Sequence, residues 1–362
     1  MPVTIKIVKA GLLLQVCFLL VHCAPKVTSK ASKNSAVIVD SSHGVGIEKL
    51  VSLANAFKSS LTAEQVKILQ LAWSKEDAVK WSNFPQAFSH PQRVGISFSQ
   101  LNVTQIKAAK ELLAYVLDDK TPNEGFDETE GILAADNLVG TLPGRDKFFG
   151  SGNYYIAFLG APSTTALWEL QFGGHHLAFS NTYKDGKLIG MTPSFRGVEP
   201  MTPIEANGRH YQPMEQERLA FKNILGALTE NELNTAKLST TFSDILLGPG
   251  KDNFFPSTKQ GLRVRLLSKD KHDLILKAIS LYVNDLKSAE VENILATYMK
   301  ELPNTYIAFS GSKTLDSIND YFRIDGPGVW IEYSTQPSRD IKTPPTHPHS
   351  IWRDHRRDYG GQ

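Results

Sequence analysis

Four histidines in two short segments have the chemistry and the spacing to bind one metal ion. His175 and His176 are adjacent and follow two glycines, in a segment that reads as a β-strand. His347 and His349 alternate within residues 343–349, whose prolines favour an extended backbone. Alternate side chains of an extended chain lie on the same side. Because imidazole is a common ligand of divalent transition metals, the pattern predicts one divalent metal, with no indication of which.

The adjacent pair is weak evidence by itself, because neighbouring residues of a strand point to opposite faces. Only one ring of His175 and His176 is therefore expected to reach a given ligand, unless a bulge at Gly173-Gly174 turns the other. The alternative is that the pair belongs to a solvated hairpin and that residues 341–362 form a solvated basic tail.

Four charged residues of the C-terminal part are candidates for catalysis. Glu332 and Asp354 have the chemistry of a metal ligand or a general base, and Arg323 and Arg353 that of groups binding an anion or a developing oxyanion. Together with a metal they would describe a hydrolase-like enzyme that activates water. The same residues would equally suit a buried polar network that holds the C-terminal segment, so the sequence leaves open whether the protein is an enzyme.

Three tryptophans, Trp168, Trp330 and Trp352, favour a second class of function. Aromatic rings near the predicted cleft could stack on sugar rings, so the alternative is a non-enzymatic protein that binds carbohydrate or the extracellular matrix. The expected partner is a small molecule, a carbohydrate or a matrix ligand. Lysine and arginine number 39 against 37 acidic residues, which leaves no basic field for nucleic acid.

The elements that would position these residues occur twice along the chain. Copy one covers residues 45–200, copy two covers 201–340, and a His/Arg/Asp-rich segment, 341–362, follows. Each copy reads as helices followed by antiparallel strands, which predicts an α+β fold. We expect the two copies to pack about a pseudo-two-fold axis as one compact domain, 45–362, with the site between the two lobes. The matched segments are 60–72 with 227–239, 82–85 with 253–256, 108–119 with 275–286, 154–160 with 305–311, and 167–180 with 321–334.

The two copies differ at the histidines. When Ser180 is aligned to Ser334, the histidine pair of copy one aligns with Val329 and Trp330 of copy two. Polar residues present in only one copy are candidates for a site, so this asymmetry favours a functional role for the pair.

The N-terminal region predicts export. Residues 1–23 have two lysines, an apolar stretch and a small-residue cleavage site, as in a secretory signal peptide, and the stretch is too short for a convincing membrane span. Residues 24–44 read as a flexible, polar leader. Both cysteines, Cys17 and Cys23, leave with the peptide, so we expect a secreted, extracellular protein with no disulfide and no membrane span. Asn102 begins an N-x-Thr sequon and is a candidate for a glycan.

Four segments resemble, in the same order, signature segments of the uncharacterised family named domain of unknown function 3500. They are GGHHLAFS, TPSFRGVEP, YFRIDGPGVWIEYS and HPHSIWRDHRRDYGG, and the similarity runs from about residue 45 to the C-terminus. The resemblance implies an exported protein, brings no established reaction, and adds Tyr321 and Asp358 to the site as substrate-binding candidates. Members often carry an acidic residue where this chain has Ser334; if that residue were a ligand, this chain would be a weakened or non-catalytic member.

Overall fold

The computed structural model of this chain describes residues 46–90 and 92–362, and the predicted signal peptide and leader lie outside them. The α-helices of the described residues are α1 (Ile47–Ser59), α2 (Ala63–Leu69), α3 (Lys75–Ala78), α4 (Val103–Val116), α5 (Gly125–Gly140), α6 (Glu215–Ala227), α7 (Glu230–Ala236), α8 (Lys269–Val283) and α9 (Glu290–Glu301). The strands are β1 (Gln70–Leu71), β2 (Ile96–Ser97), β3 (Tyr155–Leu159), β4 (Trp168–Gly174), β5 (Leu177–Lys184), β6 (Lys187–Gly190), β7 (Ser194–Gly197), β8 (Ile204–Ala206), β9 (Arg209–Tyr211), β10 (Leu262–Arg263), β11 (Tyr306–Ser310), β12 (Tyr321–Asp325), β13 (Val329–Pro337) and β14 (Thr346–Asp354). The predicted α+β class is confirmed in its coarse form.

One mixed sheet of 12 strands organises the described residues. The strand order is β1-β3-β4-β5-β7-β14-β13-β12-β11-β10, with β2 beside β3 and β6 beside β5, while β8 and β9 form a separate pair. In the middle of the sheet β7 pairs with both β5 and β14, so that His349 lies opposite Gly197. Strands from the two parts of the chain therefore meet where the histidine segments lie.

Local sequence explains where several helices begin. Thr62 and Thr229 each follow a leucine, a local sequence typical of a helix start, and each forms a capping box with the residue three positions later, so α2 and α7 begin directly after them. In α8 the buried residues include Ile275, Ile279 and Tyr282, at the spacing of one helix face. That face packs on the sheet, and no helix within 46–90 and 92–362 combines the length and the apolar character needed to cross a bilayer.

The two faces of the sheet are covered differently. Phe158 of β3 belongs to the large hydrophobic cluster that includes the helices. The next residue, Leu159, points to the other face and belongs to a smaller cluster with Trp81 and Ile245, which lie in long loops. Helices therefore cover one face of the sheet, and long loops cover the other.

A cluster of acidic residues is buried around Arg196. Its guanidinium lies 3.0 Å from Glu217, 2.6 Å from Asp285 and 3.3 Å from Glu128. Burial, together with the neighbouring carboxylates, raises the pKa of a fourth member, Glu124, to about 12. Glu124 therefore stays protonated at neutral pH, because one arginine cannot neutralise four carboxylates in a buried setting.

The internal duplication and the pseudo-two-fold packing stay predictions, as do the domain boundaries. Asn102 of the predicted sequon is exposed and caps α4, where its side chain accepts a hydrogen bond from the backbone N–H of Gln105 at 3.0 Å.

Candidate metal centre

The adjacent histidines form the turn of a hairpin and do not lie within a strand. Pairing between β4 and β5 runs without a register shift to Gly174 opposite Leu177, which leaves His175 and His176 as the two turn residues. His176 has φ of 64°, in the left-handed region that few residues other than glycine adopt. The prediction that the pair lies within a strand is therefore wrong, and the turn redirects the rings without a bulge at the two glycines. The imidazoles stack with centroids 3.7 Å apart instead of pointing to opposite faces.

The two glycines allow close packing beneath the turn. A Cβ atom at Gly174 would lie 2.6 Å from the ring of Tyr154, and one at Gly173 would lie 2.6 Å from the carbonyl oxygen of Leu177. The Tyr154 hydroxyl donates a hydrogen bond to the carbonyl oxygen of His175. The glycines thus let Tyr154 pack under the turn and fix its position.

His347 and His349 lie on β14, which is extended as predicted. They pair with Gln336 and Ser334 of β13, respectively, and both side chains are buried on the same face of the sheet. The C-terminal segment is therefore an inner strand of the sheet, which excludes the alternative of a solvated tail for these residues.

Three of the four histidines converge. Each of His176, His347 and His349 offers one ring nitrogen such that these nitrogens lie within 4.8 Å of one another, and all three side chains are buried. Their ring centroids are 5.0 to 5.3 Å apart. Gly197 makes room for them: a Cβ atom there would lie 2.9 Å from Cδ2 of His349 and 3.0 Å from Cδ2 of His176. This group could hold a metal ion.

The hydrogen bonds of His349 leave one ring nitrogen available. Its Nδ1 lies 3.0 Å from Oδ1 of Asp244 and 2.5 Å from the amide of Gln336, while its Nε2 is buried with no hydrogen-bond partner. Carboxylates hold metal-binding histidines in this way, by fixing the tautomer and the orientation of the ring. Nδ1 of His347 is likewise buried without a partner, 4.0 Å from Oε2 of Glu199. Buried polar atoms without partners are uncommon, and here they belong to two of the three converging rings.

Burial favours the neutral form of two of the converging imidazoles, those of His176 and His347. It lowers the pKa of His176 well below its ordinary value, and the neighbouring histidines act in the same direction. Burial and His349 lower the pKa of His347 to about 2. Burial raises the pKa of Asp244, but His349 together with the hydrogen bonds from Ile245 and Gln336 lowers that pKa overall, so the carboxylate stays charged. Neutral imidazole is the form that binds a metal ion.

His175 is not part of the converging group. Its Nδ1 lies 2.6 Å from Oδ1 of Asp136, and its ring packs edge-on against Phe149 at 4.8 Å. Because its ring nitrogens do not belong to the group that converges, the structure does not favour His175 as a ligand. Its stacked ring supports His176 from behind.

Glu332, which the sequence offers as a metal ligand or general base, lies elsewhere on the same face of the sheet. Its hydrogen bonds give it a structural role. It accepts hydrogen bonds from the backbone N–H groups of Leu246 and Leu247 at 2.5 and 2.8 Å, and from Trp330 and Tyr321 at 2.7 and 2.8 Å. These four donors saturate both carboxylate oxygens. Glu332 therefore anchors the loop that carries Asp244 and does not join the histidines.

Three of the other charged candidates, Arg353, Asp354 and Asp358, hold the C-terminal segment. Arg353 donates to Asp252 at 2.6 Å and lies 3.5 Å from Asp358. Asp354 points to the helix side, where it accepts a hydrogen bond from Tyr298 at 2.6 Å. These contacts favour the alternative of a buried polar network, and they do not favour catalytic or substrate-binding roles.

Arg323 and the aromatic candidates are also enclosed. Arg323 donates to Gln260 at 3.1 Å, and Tyr321 stacks on Phe242 with centroids 3.9 Å apart. Trp168, Trp330 and Trp352 are at most 1% exposed, so none of these rings presents a face to a sugar.

Sequence reasoning missed four residues around the histidines: Asp136, Glu199, Gly197 and Asp244. Glu199 and Gly197 lie within TPSFRGVEP, a segment that carried the family resemblance. Nothing in the local sequence marks Asp136 or Asp244, because they approach the histidines only through the fold.

The fold and the site together define an α+β protein with three buried histidines converging at the centre of one large sheet. The profile of the family described as "Protein of unknown function (DUF3500)" matches residues 43–361. The chain belongs to this family. No curated protein and no solved structure matches the chain.

Proposed function

We propose that the protein is a metalloenzyme that binds one divalent transition metal through His176, His347 and His349 and uses it to activate water for hydrolysis. The observation that carries the proposal is the convergence of three buried imidazoles whose ligand atoms lie within 4.8 Å of one another. Two of these rings have a buried nitrogen without a hydrogen-bond partner.

The ligand types limit which metal ions the site would bind. Three imidazoles with no thiolate or carboxylate among them suit Zn²⁺, Cu²⁺, Ni²⁺ or Co²⁺, and they do not suit Mg²⁺ or Ca²⁺, which take oxygen ligands. Three protein ligands leave one tetrahedral position for water, as in catalytic zinc sites. A water bound there would ionise near neutral pH and become a nucleophile. Asp244 would orient His349 toward the metal from outside.

The metal is tested first. Purified protein is stripped with a chelator, reloaded with Zn²⁺ and analysed for metal content and thermal stability. We expect about one ion per chain and, at free zinc 100-fold above Kd, about 2.7 kcal/mol of added stability. His347→Ala should lose both effects, whereas His210→Ala, which changes an exposed histidine of β9, should lose neither. Absence of bound metal from the unmodified protein would overturn the proposal.

Hydrolysis is tested on the loaded protein with chromogenic carboxylic and phosphate esters. We expect turnover that the chelator abolishes and zinc restores, and that His349→Ala lacks. A stoichiometric metal without any metal-dependent turnover would refute the enzymatic part and leave a structural metal. That second candidate is favoured by one observation: the three ligands are at most 4% exposed and join the β4–β5 turn to β14.

We further propose that the mature protein is secreted and that its ligand is a small molecule. The sequence of residues 1–23 supports secretion. N-terminal sequencing of protein recovered from culture medium tests it: a chain beginning at Ala24 is expected, and retention of residues 1–23 inside cells would contradict it.

The proposed internal duplication is supported by strand register. Gln171 pairs with Ser180 in one hairpin, and Arg323 pairs with Glu332 in the other. This correspondence shifts the predicted alignment by two residues, so that the histidine pair stands where Pro327-Gly328 forms the turn of the second hairpin. The duplication is tested by superposing residues 155–182 on residues 306–334. A fit no closer than that of unrelated hairpins would count against the duplication.

A further inference from the structure

One exposed cation beside the proposed metal centre lacks a partner. Arg339 lies in the connection between β13 and β14, and among residues 46–90 and 92–362 no hydrogen bond or ion pair holds its side chain. The same connection leads directly to the pair formed by Gln336 and His347.

The backbone on both sides of Arg339 is fixed. The N–H of Ser338 donates to the carbonyl oxygen of Pro345 at 2.8 Å. The N–H groups of Asp340 and Ile341 both donate to Oε1 of Glu199 at 2.7 Å. A free side chain thus extends from an ordered backbone, which reduces the entropy that a bound ligand would have to offset.

A single carboxylate links this connection to the histidines. Oε1 of Glu199 holds the backbone next to Arg339, and its Oε2 lies 4.0 Å from Nδ1 of His347. One side chain therefore separates the backbone next to Arg339 from His347.

The acidic residues around the centre already have partners. Asp340 lies 2.7 Å from the guanidinium of Arg145, Asp244 contacts His349, and Asp136 contacts His175. A divalent metal bound to these three imidazoles would have no carboxylate among its direct ligands. An anionic ligand could bind both this metal and the guanidinium of Arg339.

We propose that Arg339 binds the anionic group of the ligand at the metal centre, so that the substrates are small molecules with a carboxylate or phosphate group. This inference rests on the proposed metal centre. The planar guanidinium presents paired donors that match the geometry of both kinds of oxyanion.

The test uses the chain loaded with Co²⁺, whose visible absorption reports changes in its coordination. The loaded protein is titrated with inorganic phosphate, with acetate and, separately, with neutral imidazole. We expect an anion to change the spectrum, and Arg339→Gln to weaken that anion about tenfold while the response to imidazole stays the same. Arg265→Gln is the matched control, because Arg265 is exposed and also has no ion pair among the described residues. It should leave both responses unchanged.

The outcomes separate this inference from the proposed function. Failure to bind Co²⁺ overturns the metal centre and the inference with it. Binding of Co²⁺ with no response to either anion, or equal anion affinity in the unmodified protein and Arg339→Gln, overturns the inference alone. A response to phosphate without acetate, or the reverse, identifies which group the site takes.

Discussion

Gly197→Ala tests directly whether the packing of the histidines is what creates the site. The added methyl group would lie 2.9 Å from Cδ2 of His349, and 3.0 Å from both Cδ2 of His176 and the carbonyl oxygen of Pro348. Carbon atoms in van der Waals contact are about 3.5 to 4.0 Å apart, so both rings would have to move outward by several tenths of an ångström.

The expected effects follow from that displacement. Overpacking of a buried position costs about 1 to 3 kcal/mol of stability. If the imidazoles separate, the metal loses its geometry, and we expect the affinity for Zn²⁺ to fall about 10- to 100-fold, which is roughly 1.4 to 2.8 kcal/mol. The backbone itself tolerates alanine, because φ of Gly197 is not positive.

Denaturant unfolding of the metal-free protein measures the first effect, and zinc competition against a chelator measures the second. Gly226→Ala is the control, since Gly226 lies in α6 with nothing within 4 Å of an added Cβ atom. That change should leave zinc affinity unaltered and stabilise the helix by about 0.5 to 1 kcal/mol. Unchanged zinc affinity in Gly197→Ala, with the chain folded, would refute the proposal that these two rings act together as ligands.

Three further predictions concern residues outside the ligand set. Asp244→Ala removes the carboxylate that orients His349 and should lower the affinity for Zn²⁺ about 10- to 100-fold in the same competition assay. The control Asp146→Ala, at an exposed site, should leave that affinity unchanged. Equal affinities in Asp244→Ala and the unmodified protein would show that the orientation of His349 is unimportant. Glu332→Ala leaves three buried donors and the partly buried N–H of Leu246 without their acceptor, and it should cost about 3 kcal/mol or more in urea unfolding with metal content unchanged. Loss of metal from folded protein would restore Glu332 as a ligand. Burial raises the pKa of Glu124 above its unfolded value of 4.5, so its contribution to stability is complete below about pH 4.5 and declines as the pH rises toward about 12. Glu124→Gln should therefore raise the free energy of unfolding more at pH 8 than at pH 5, and a stability difference that grew toward acid pH would contradict this.

Much of the secondary structure was predictable because it depends on local sequence. The Leu-Thr caps placed α2 and α7, since the capping residue and its partner three positions later are neighbours along the chain. The prolines of residues 343–349 indicated an extended segment, and β14 begins at Thr346. These features need no knowledge of the rest of the fold.

The turn at the histidine pair was the main local error. The hydrophobic residues around the pair suggested a continuous strand, which the two glycines could interrupt only by a bulge. Alignment on Gly174 and Gly326, instead of on the closing serines, would have placed His175 and His176 opposite the Pro-Gly turn of the second hairpin. That alignment was the available signal for a turn.

The sequence by itself determined which side chains could ligate a metal and that His347 and His349 share one face, because residue type and strand period are local properties. Only the tertiary structure decided that β7 brings β5 beside β14, that His176 joins the group while His175 binds Asp136, and that Asp244 reaches His349. These contacts join residues 39 positions apart for His175 and Asp136 and 105 apart for His349 and Asp244. Contacts so far apart in the chain depend on strand order and loop packing, which the whole set of buried apolar surfaces decides together. The tertiary structure also decided that Glu332 and Arg353 are structural anchors, because charged groups buried between a sheet and its loops must be paired or hydrogen-bonded there.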